Sequence, residues 1–199
     1  MRIITALILM TILWSQETRL IDRWHTYEEI QAQLEEWDAE FGDTANPIPM
    51  AYPESGIIYH MEEIGRSTEY DLPFWGVRLS YNAEIKEDEP RILILGQCHA
   101  EEIFGVEIAM KIIDEFLHPT PWSTYLGSMQ NVLQQAELWV IPTYNPEGLQ
   151  TVHGVDDGLG NWLQDESYRK NRTDINLNGL FDWAHGVAND SDGVDLTRH

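Results

Sequence analysis

Cysteine is almost absent: Cys98 stands alone in 199 residues, so no intrachain disulfide can form and the fold must rest on packing. Basic residues are scarce too. Twelve Lys and Arg against 34 Asp and Glu leave a formal net charge of -22. A surface that acidic argues against phosphate backbones and anionic membranes as partners. It is compatible with cation binding and with solubility outside the cell. No apolar run reaches the roughly 20 residues that span a bilayer, so no stable membrane anchor is expected. There is no internal repeat and no low-complexity tract. What is present is globular. A content of 43% hydrophobic and 11% aromatic residues excludes a disordered chain, and the length suits one domain with a sizeable core.

The chain opens "MRIITALILMTILWSQE", with Arg2 followed by residues 3–14, apolar apart from Thr5 and Thr11. A charged start and a short apolar core read as a signal peptide over residues 1–16, cleaved near Ser15–Gln16, and hence as a secreted or periplasmic protein. The competing reading is a buried N-terminal helix. Residues 17–199 are then one domain.

Thr26 followed by Glu29 is a capping box, and Ile30, Leu34, Trp37 and Phe41 recur at helical spacing up to Gly42. This predicts a surface helix with one buried face. Residues 43–55 read as a loop. "GIIYHMEEIG" and "LPFWGVRLS" read as strands joined by the turn "RSTEYD". "RILILG" is a continuous apolar run, the mark of a strand covered on both faces. From Ala100 the period becomes helical to about residue 117, and "HPTPW" breaks it. "TYLGSMQNVLQQAE" predicts a second helix. "LWVIPTYNPEG" predicts a second buried strand ending in a Pro-Glu-Gly turn. Strand, helices, strand implies a parallel pair in an α/β sheet, largely parallel and flanked by helices.

His99 follows the "RILILG" strand directly, and ligands of open α/β sheets gather at that edge. Glu102, three residues on, falls in the first turn of the next helix. Residues three apart on a helical turn face the same way, so an imidazole nitrogen and a carboxylate oxygen can converge on one ion. That donor pair suits zinc. The bland alternative is a Glu favoured by the helix N-terminus beside a polar His.

The segments "GQCHAEEIFG", "TYNPEG", "YRKNR" and "DGVDLTRH" occur in that order. Together they resemble the zinc carboxypeptidases of the funnelin type, the carboxypeptidase A and T family (peptidase M14). That family shows H-x-x-E after a buried strand, then N-P-D/E-G, then an Arg in a W/Y-R-K segment, then G-V-D-L-N-R-N. The resemblance runs from about Trp24 to His199. It implies a zinc-dependent carboxypeptidase that hydrolyses C-terminal peptide bonds with a metal-activated water, acting on the C-termini of peptides or proteins. His99 and Glu102 would be two of three zinc ligands. Arg169 would polarise the scissile carbonyl, and Arg198 would grip the substrate's terminal carboxylate. Asn145, Pro146 and Gly148 would form a structural turn. Cys98 reads as packing.

The departures bear on substrate. Thr197 stands where the family has Asn, so a single hydroxyl replaces an amide beside Arg198. His199 replaces another Asn. Glu101 replaces a frequent Arg and makes the cleft mouth more acidic. The family's third ligand, a His, and its general-base Glu lie well beyond the D-L-N-R-N segment. The chain therefore reads as the N-terminal part of a catalytic domain, incomplete at its C-terminus and inactive alone. His153 and His185 precede Arg198 and match neither role.

"DINLNGLFDWAH" is a second cation candidate. Asp174, Asn176, Asn178, Gly179 and Asp182 fall at positions 1, 3, 5, 6 and 9 of an EF-hand-like calcium loop. Position 12 should be Glu and is His185. Asp190, Asp192 or Asp195 would have to supply the missing carboxylate. A solvated loop of Asx turns is the alternative. Two further functional readings stay open: an exported, non-catalytic member of the fold binding calcium or peptide termini, and a cell-wall peptide amidohydrolase on the same scaffold.

Overall fold

The structure is a computed structural model that describes residues 24–42, 51–52, 56–120, 124–156, 160, 162–181 and 192–198. The leader, most of the loop at 43–55, Asp182, His185, Asp190 and His199 lie outside the described residues.

Helix α1 (Tyr27–Phe41) starts at the expected capping box. The Thr26 hydroxyl accepts from Glu29 N, and the Glu29 carboxylate accepts from Thr26 N. Gly42 caps its end. Ile30, Leu34, Trp37 and Phe41 form its buried face, as their spacing requires. Burying a side chain such as Leu34 contributes about 1.5–3 kcal/mol, and this row locks α1 against β1.

Strands β1 (Tyr59–Arg66) and β2 (Pro73–Leu79) pair antiparallel. The turn between them closes with Ser67 N donating to Leu72 O at 2.8 Å. Strand β3 (Arg91–Gln97), helices α2 (Phe104–Leu117) and α3 (Leu126–Leu133), and strand β4 (Glu137–Thr143) follow. β4 pairs parallel with β3 and antiparallel with β2, giving the order β1-β2-β4-β3 in a mixed sheet. Val106, Met110, Ile113 and Leu117 of α2 enter the same core as α1 and the sheet.

Three local expectations change. "RILILG" is not covered on both faces. β3 is an edge strand among the described residues, with Ile92, Leu93 and Leu95 45%, 59% and 49% exposed. The twice-covered strand is β4, buried at every position but Trp139. A continuous apolar run reports what a strand can bury, not which neighbours it receives. Glu102 also precedes α2 instead of lying in its first turn. His99–Glu102 is a tight turn, with Glu102 N bonded to His99 O and Gly105 N to Glu102 O, both at 3.0 Å. Finally, "NPEG" opens helix α4 (Pro146–His153) instead of a turn. Asn145 is its N-cap, and Pro146 sits where a missing N–H costs nothing.

After α4 come the two-residue strands β5 (Val155–Asp156) and β6 (Trp162–Leu163), then irregular chain. Because β3 and β4 run parallel, their C-terminal ends share one edge of the sheet. His99 and Asn145 leave from that edge.

Candidate metal centre

Gln97, the last residue of β3, is fully buried and ties that strand end to its neighbours. Its Nε2 donates to Ala100 O at 3.1 Å, and its Oε1 accepts from the Thr143 hydroxyl at the end of β4. Tyr144 N donates to Gln97 O, and Asn145 N to Thr143 Oγ1. The two strand ends are thus stitched together just before the candidate residues. Asn145 extends the stitching: its Nδ2 donates to Cys98 O at 2.9 Å and to Lys170 O at 3.1 Å. Ala100 N donates to Arg169 O at 3.1 Å. The loop carrying Arg169 is therefore pinned by its backbone to the loop carrying His99.

His99 is buried, and its Nδ1 stands 3.1 Å from Glu102 Oε1. That nitrogen makes no hydrogen bond although it is shut off from solvent. The Glu102 carboxylate is within ion-pair range but off the line of a hydrogen bond. A buried imidazole nitrogen with no hydrogen bond is costly, and the separation is one that two ligands of one cation can adopt. The pair fits two positions of a zinc shell. A catalytic zinc takes three protein ligands, and no group of three His, Cys, Asp or Glu is placed to hold a metal among the described residues.

The other ring nitrogen is crowded. His99 Nε2 lies 2.8 Å from Thr197 Oγ1, 3.2 Å from Asp195 Oδ1 and 2.7 Å from Arg169 Nη2. Sequence reasoning named His99, Glu102, Arg169, Thr197 and Arg198, and all five lie in or beside this cluster. It named Asp195 only as a possible carboxylate for the calcium loop, whereas Asp195 joins these five. Asp195 Oδ1 accepts from the Thr197 amide and hydroxyl, and Oδ2 takes Arg169 Nε at 3.0 Å and Arg198 Nε at 3.1 Å. The signal was the Asp of "GVDLTRH", three residues before Arg198. Burial acts against ionised Asp195, but the Thr197 N–H and the Arg169 guanidinium outweigh it. They hold its pKa well below the usual carboxylate range. The same ion pairs, with Asp195 first and Glu101 second, raise the Arg169 pKa.

Arg169 Nη1 also donates to Glu101 Oε1 at 2.9 Å. Arg198, in contrast, is exposed beyond its contact with Asp195. Tyr144, the residue after β4, stands near Cys98 and Glu102. Burial, a hydrogen bond with Cys98 and the charge of Glu102 push its phenol up to about 12.

The candidate calcium loop is described from Asp174 to Phe181. Asp174 accepts from Leu177 N and Gly179 N, both at 2.7 Å. Asn176 accepts from Asn178 N, and Asn178 from Leu180 N. Asp174, Asn176 and Asn178, three of the residues expected to ring an ion, thus accept from the loop's own amides as nested Asx turns.

The family model described as zinc carboxypeptidase matches residues 51–199. A curated zinc carboxypeptidase from Saccharothrix mutabilis subsp. capreolus is 26% identical over 151 residues, covering 72% of this chain and 32% of the relative. Among solved structures, thrombin activatable fibrinolysis inhibitor superposes with a TM-score of 0.60 at 16% identity, over 88% of this chain and 34% of its own. Carboxypeptidase A from Helicoverpa armigera gives 0.56 at 19% identity, over 78% and 31%. These two show the fold. The chain spans about a third of the length of the relatives it matches.

Proposed function

Because the chain belongs to the zinc carboxypeptidase family, whose cofactor is zinc, we propose that it supplies part of the active site of a peptidase that removes C-terminal residues from peptides. The observation that carries this reading is the buried, unbonded His99 Nδ1 set 3.1 Å from Glu102 Oε1. His99 and Glu102 would hold the zinc. The third ligand and the general base would come from residues beyond Arg198. Bound there, zinc would polarise a peptide carbonyl and acidify a water.

The chain's own residues have separable tasks. With the Nδ1 lone pair facing a cation, the ring proton belongs on Nε2, where the Asp195 carboxylate and the Thr197 hydroxyl can accept it. Arg169 can donate to Nε2 only while that nitrogen carries no proton, so this tautomer turns Nη2 off the ring. Freed, Nη2 would stabilise negative charge growing on the substrate oxygen. Exposed Arg198 would take the terminal carboxylate of the peptide.

The apolar stretch at residues 3–14 supports export to the periplasm or the medium, and no described helix is long and apolar enough to cross a membrane. A second reading rests on Thr197. Its hydroxyl is committed to Asp195 and His99, which leaves Arg198 without the neighbouring amide donor the family usually provides. Such a pocket favours a substrate with a less demanding terminus, such as a cell-wall peptide.

The test uses protein made from the whole coding sequence. Metal analysis should find one zinc per chain, lost in His99→Ala and Glu102→Gln. Blocked peptides with free C-termini should be trimmed by one residue, and a chelator should abolish this. Cleavage of muropeptides alone would select the second reading. Full zinc content in both variants would refute the ligand assignment.

A further inference from the structure

Glu101 lies between the two proposed ligands, on the turn that joins β3 to α2, and contributes no ligand itself. Its Oε1 accepts from Arg169 Nη1 at 2.9 Å, and its Oε2 is buried with no hydrogen bond. We propose that Glu101 is a positioning residue. It holds the Arg169 guanidinium in the plane and direction that present Nη2 to the reacting oxygen. The proposal rests on the peptidase reading for what Nη2 does, but not for the hold itself.

Arg169 is anchored well at its backbone and poorly along its stem. The carbonyl is fixed by Ala100 N, and the next residue's carbonyl by Asn145. Beyond these lies a long side chain whose rotamer freedom is worth about 2 kcal/mol. Three hydrogen bonds fix its head: Asp195 at Nε, Glu101 at Nη1 and His99 at Nη2, with Glu102 Oε1 a looser 3.8 Å from Nη1. These are not equivalent. The His99 contact disappears once Nε2 carries the ring proton. Asp195 is shared, because the oxygen that meets Arg169 also meets Arg198, and its partner oxygen serves Thr197 and His99. A guanidinium held at Nε alone can still swing its two terminal nitrogens about that contact. Glu101 pairs with no other arginine among the described residues, and it grips the opposite edge. Two carboxylates on two edges of a rigid planar fork leave one orientation.

The test compares Glu101→Ala, Glu101→Gln and Glu101→Asp in protein made from the whole coding sequence, alone and combined with Arg169→Lys. A hold acting through Arg169 predicts that Glu101→Ala lowers kcat about tenfold with KM changed less than twofold, since misplaced groups lose transition-state contact. Glu101→Gln should fall between, because it keeps an acceptor at the same reach. Glu101→Asp should resemble Ala, because its carboxylate is one methylene short. In the Arg169→Lys background, Glu101→Ala should have no further effect. A role through bulk charge would instead leave Glu101→Asp near wild type and make Gln equal to Ala. That outcome overturns the proposal, as does an undiminished loss in the Arg169→Lys background.

A second readout needs no turnover. With arginine-selective 15N labelling, the Arg169 Nε–H should give a sharp, slowly exchanging signal in the wild type that broadens in Glu101→Ala. Unchanged melting temperature and zinc content would exclude a general structural effect. If the wild type cleaves no peptide, the peptidase reading fails and the Arg169 signal alone decides the hold. A signal indifferent to Glu101 refutes it.

Discussion

Gly96 and Gly105 press backbone on backbone: a Cβ added to Gly105 would stand 2.3 Å from Gly96 O, and one added to Gly96 would stand 2.2 Å from Pro142 O. This contact lets the start of α2 close over the end of β3. The tight turn between them then carries His99 and Glu102 to the same point. Replacing Gly105 by Ala tests it. An exposed helical Gly→Ala change would gain about 1 kcal/mol. Here the opposing atoms are main chain and cannot rotate away, so overpacking should win and cost about 1–3 kcal/mol. Urea unfolding of Gly105→Ala should show that loss, and a variant as stable as wild type would contradict the packing argument.

Asp195 should govern metal affinity without touching the metal. Its carboxylate is the charged acceptor at His99 Nε2 and so favours the tautomer with a free Nδ1 lone pair. Asp195→Ala should weaken zinc binding about 10–100-fold, the usual cost of losing such a partner. Competition with a chelating dye measures it. Zinc affinity equal to wild type would mean that Thr197 alone sets the ring.

The elements were legible where one local rule governs them. The capping box at Thr26 and Glu29, and the strand-forming runs of β1 and β2 on either side of the turn "RSTEYD", specify their structure within a few residues. The pairing of His99 with Glu102 was legible as spacing, and it survived although the turn carrying it is not helical, since a three-residue offset faces one way in either. What stayed hidden depends on long-range neighbours. The exposure of Leu93 and Leu95 depends on what lies beside β3, which no local pattern encodes. The role of Asp195 arises because residues 96 positions apart meet at one ring nitrogen. The amide bonds accepted by Asp174, Asn176 and Asn178 were open to the sequence only as one of two readings, because Asx turns and a cation loop use the same residue types.

Asn145 couples the two halves of the site, and its removal should be felt in both stability and activity. The side chain caps α4 through Gly148 N at 3.1 Å and ties Cys98 O to Lys170 O. It is almost wholly buried, so Asn145→Ala leaves two carbonyls and one amide short of a partner. Losing the cap costs about 1 kcal/mol, and stranded buried groups about 1–3 kcal/mol more. Thermal unfolding should report a total of about 2–4 kcal/mol. Asn145→Asp keeps the acceptor at Gly148 N but turns the donor to the two carbonyls into a repelling oxygen. It should be no better than Ala, whereas a role limited to helix capping predicts full rescue.

Acid should open the site through Asp195, and the sign is set by its depressed pKa. The ordinary Asp pKa is about 3.9, and the folded value lies well below it. Between the two, the unfolded chain binds a proton that the folded chain refuses, so stability falls as pH falls. The contribution of ionised Asp195 is complete above about pH 5 and declines from about pH 4 downward. Asp195→Asn cannot take up that proton. Its stability should differ from wild type by a constant amount at neutral pH, and the gap should narrow in acid as the wild type loses the Arg169 and Arg198 contacts. Denaturant midpoints of both proteins between pH 7 and pH 2.5 would show the convergence. Parallel curves over the whole range would mean that Asp195 gains nothing from its two arginines in the folded chain.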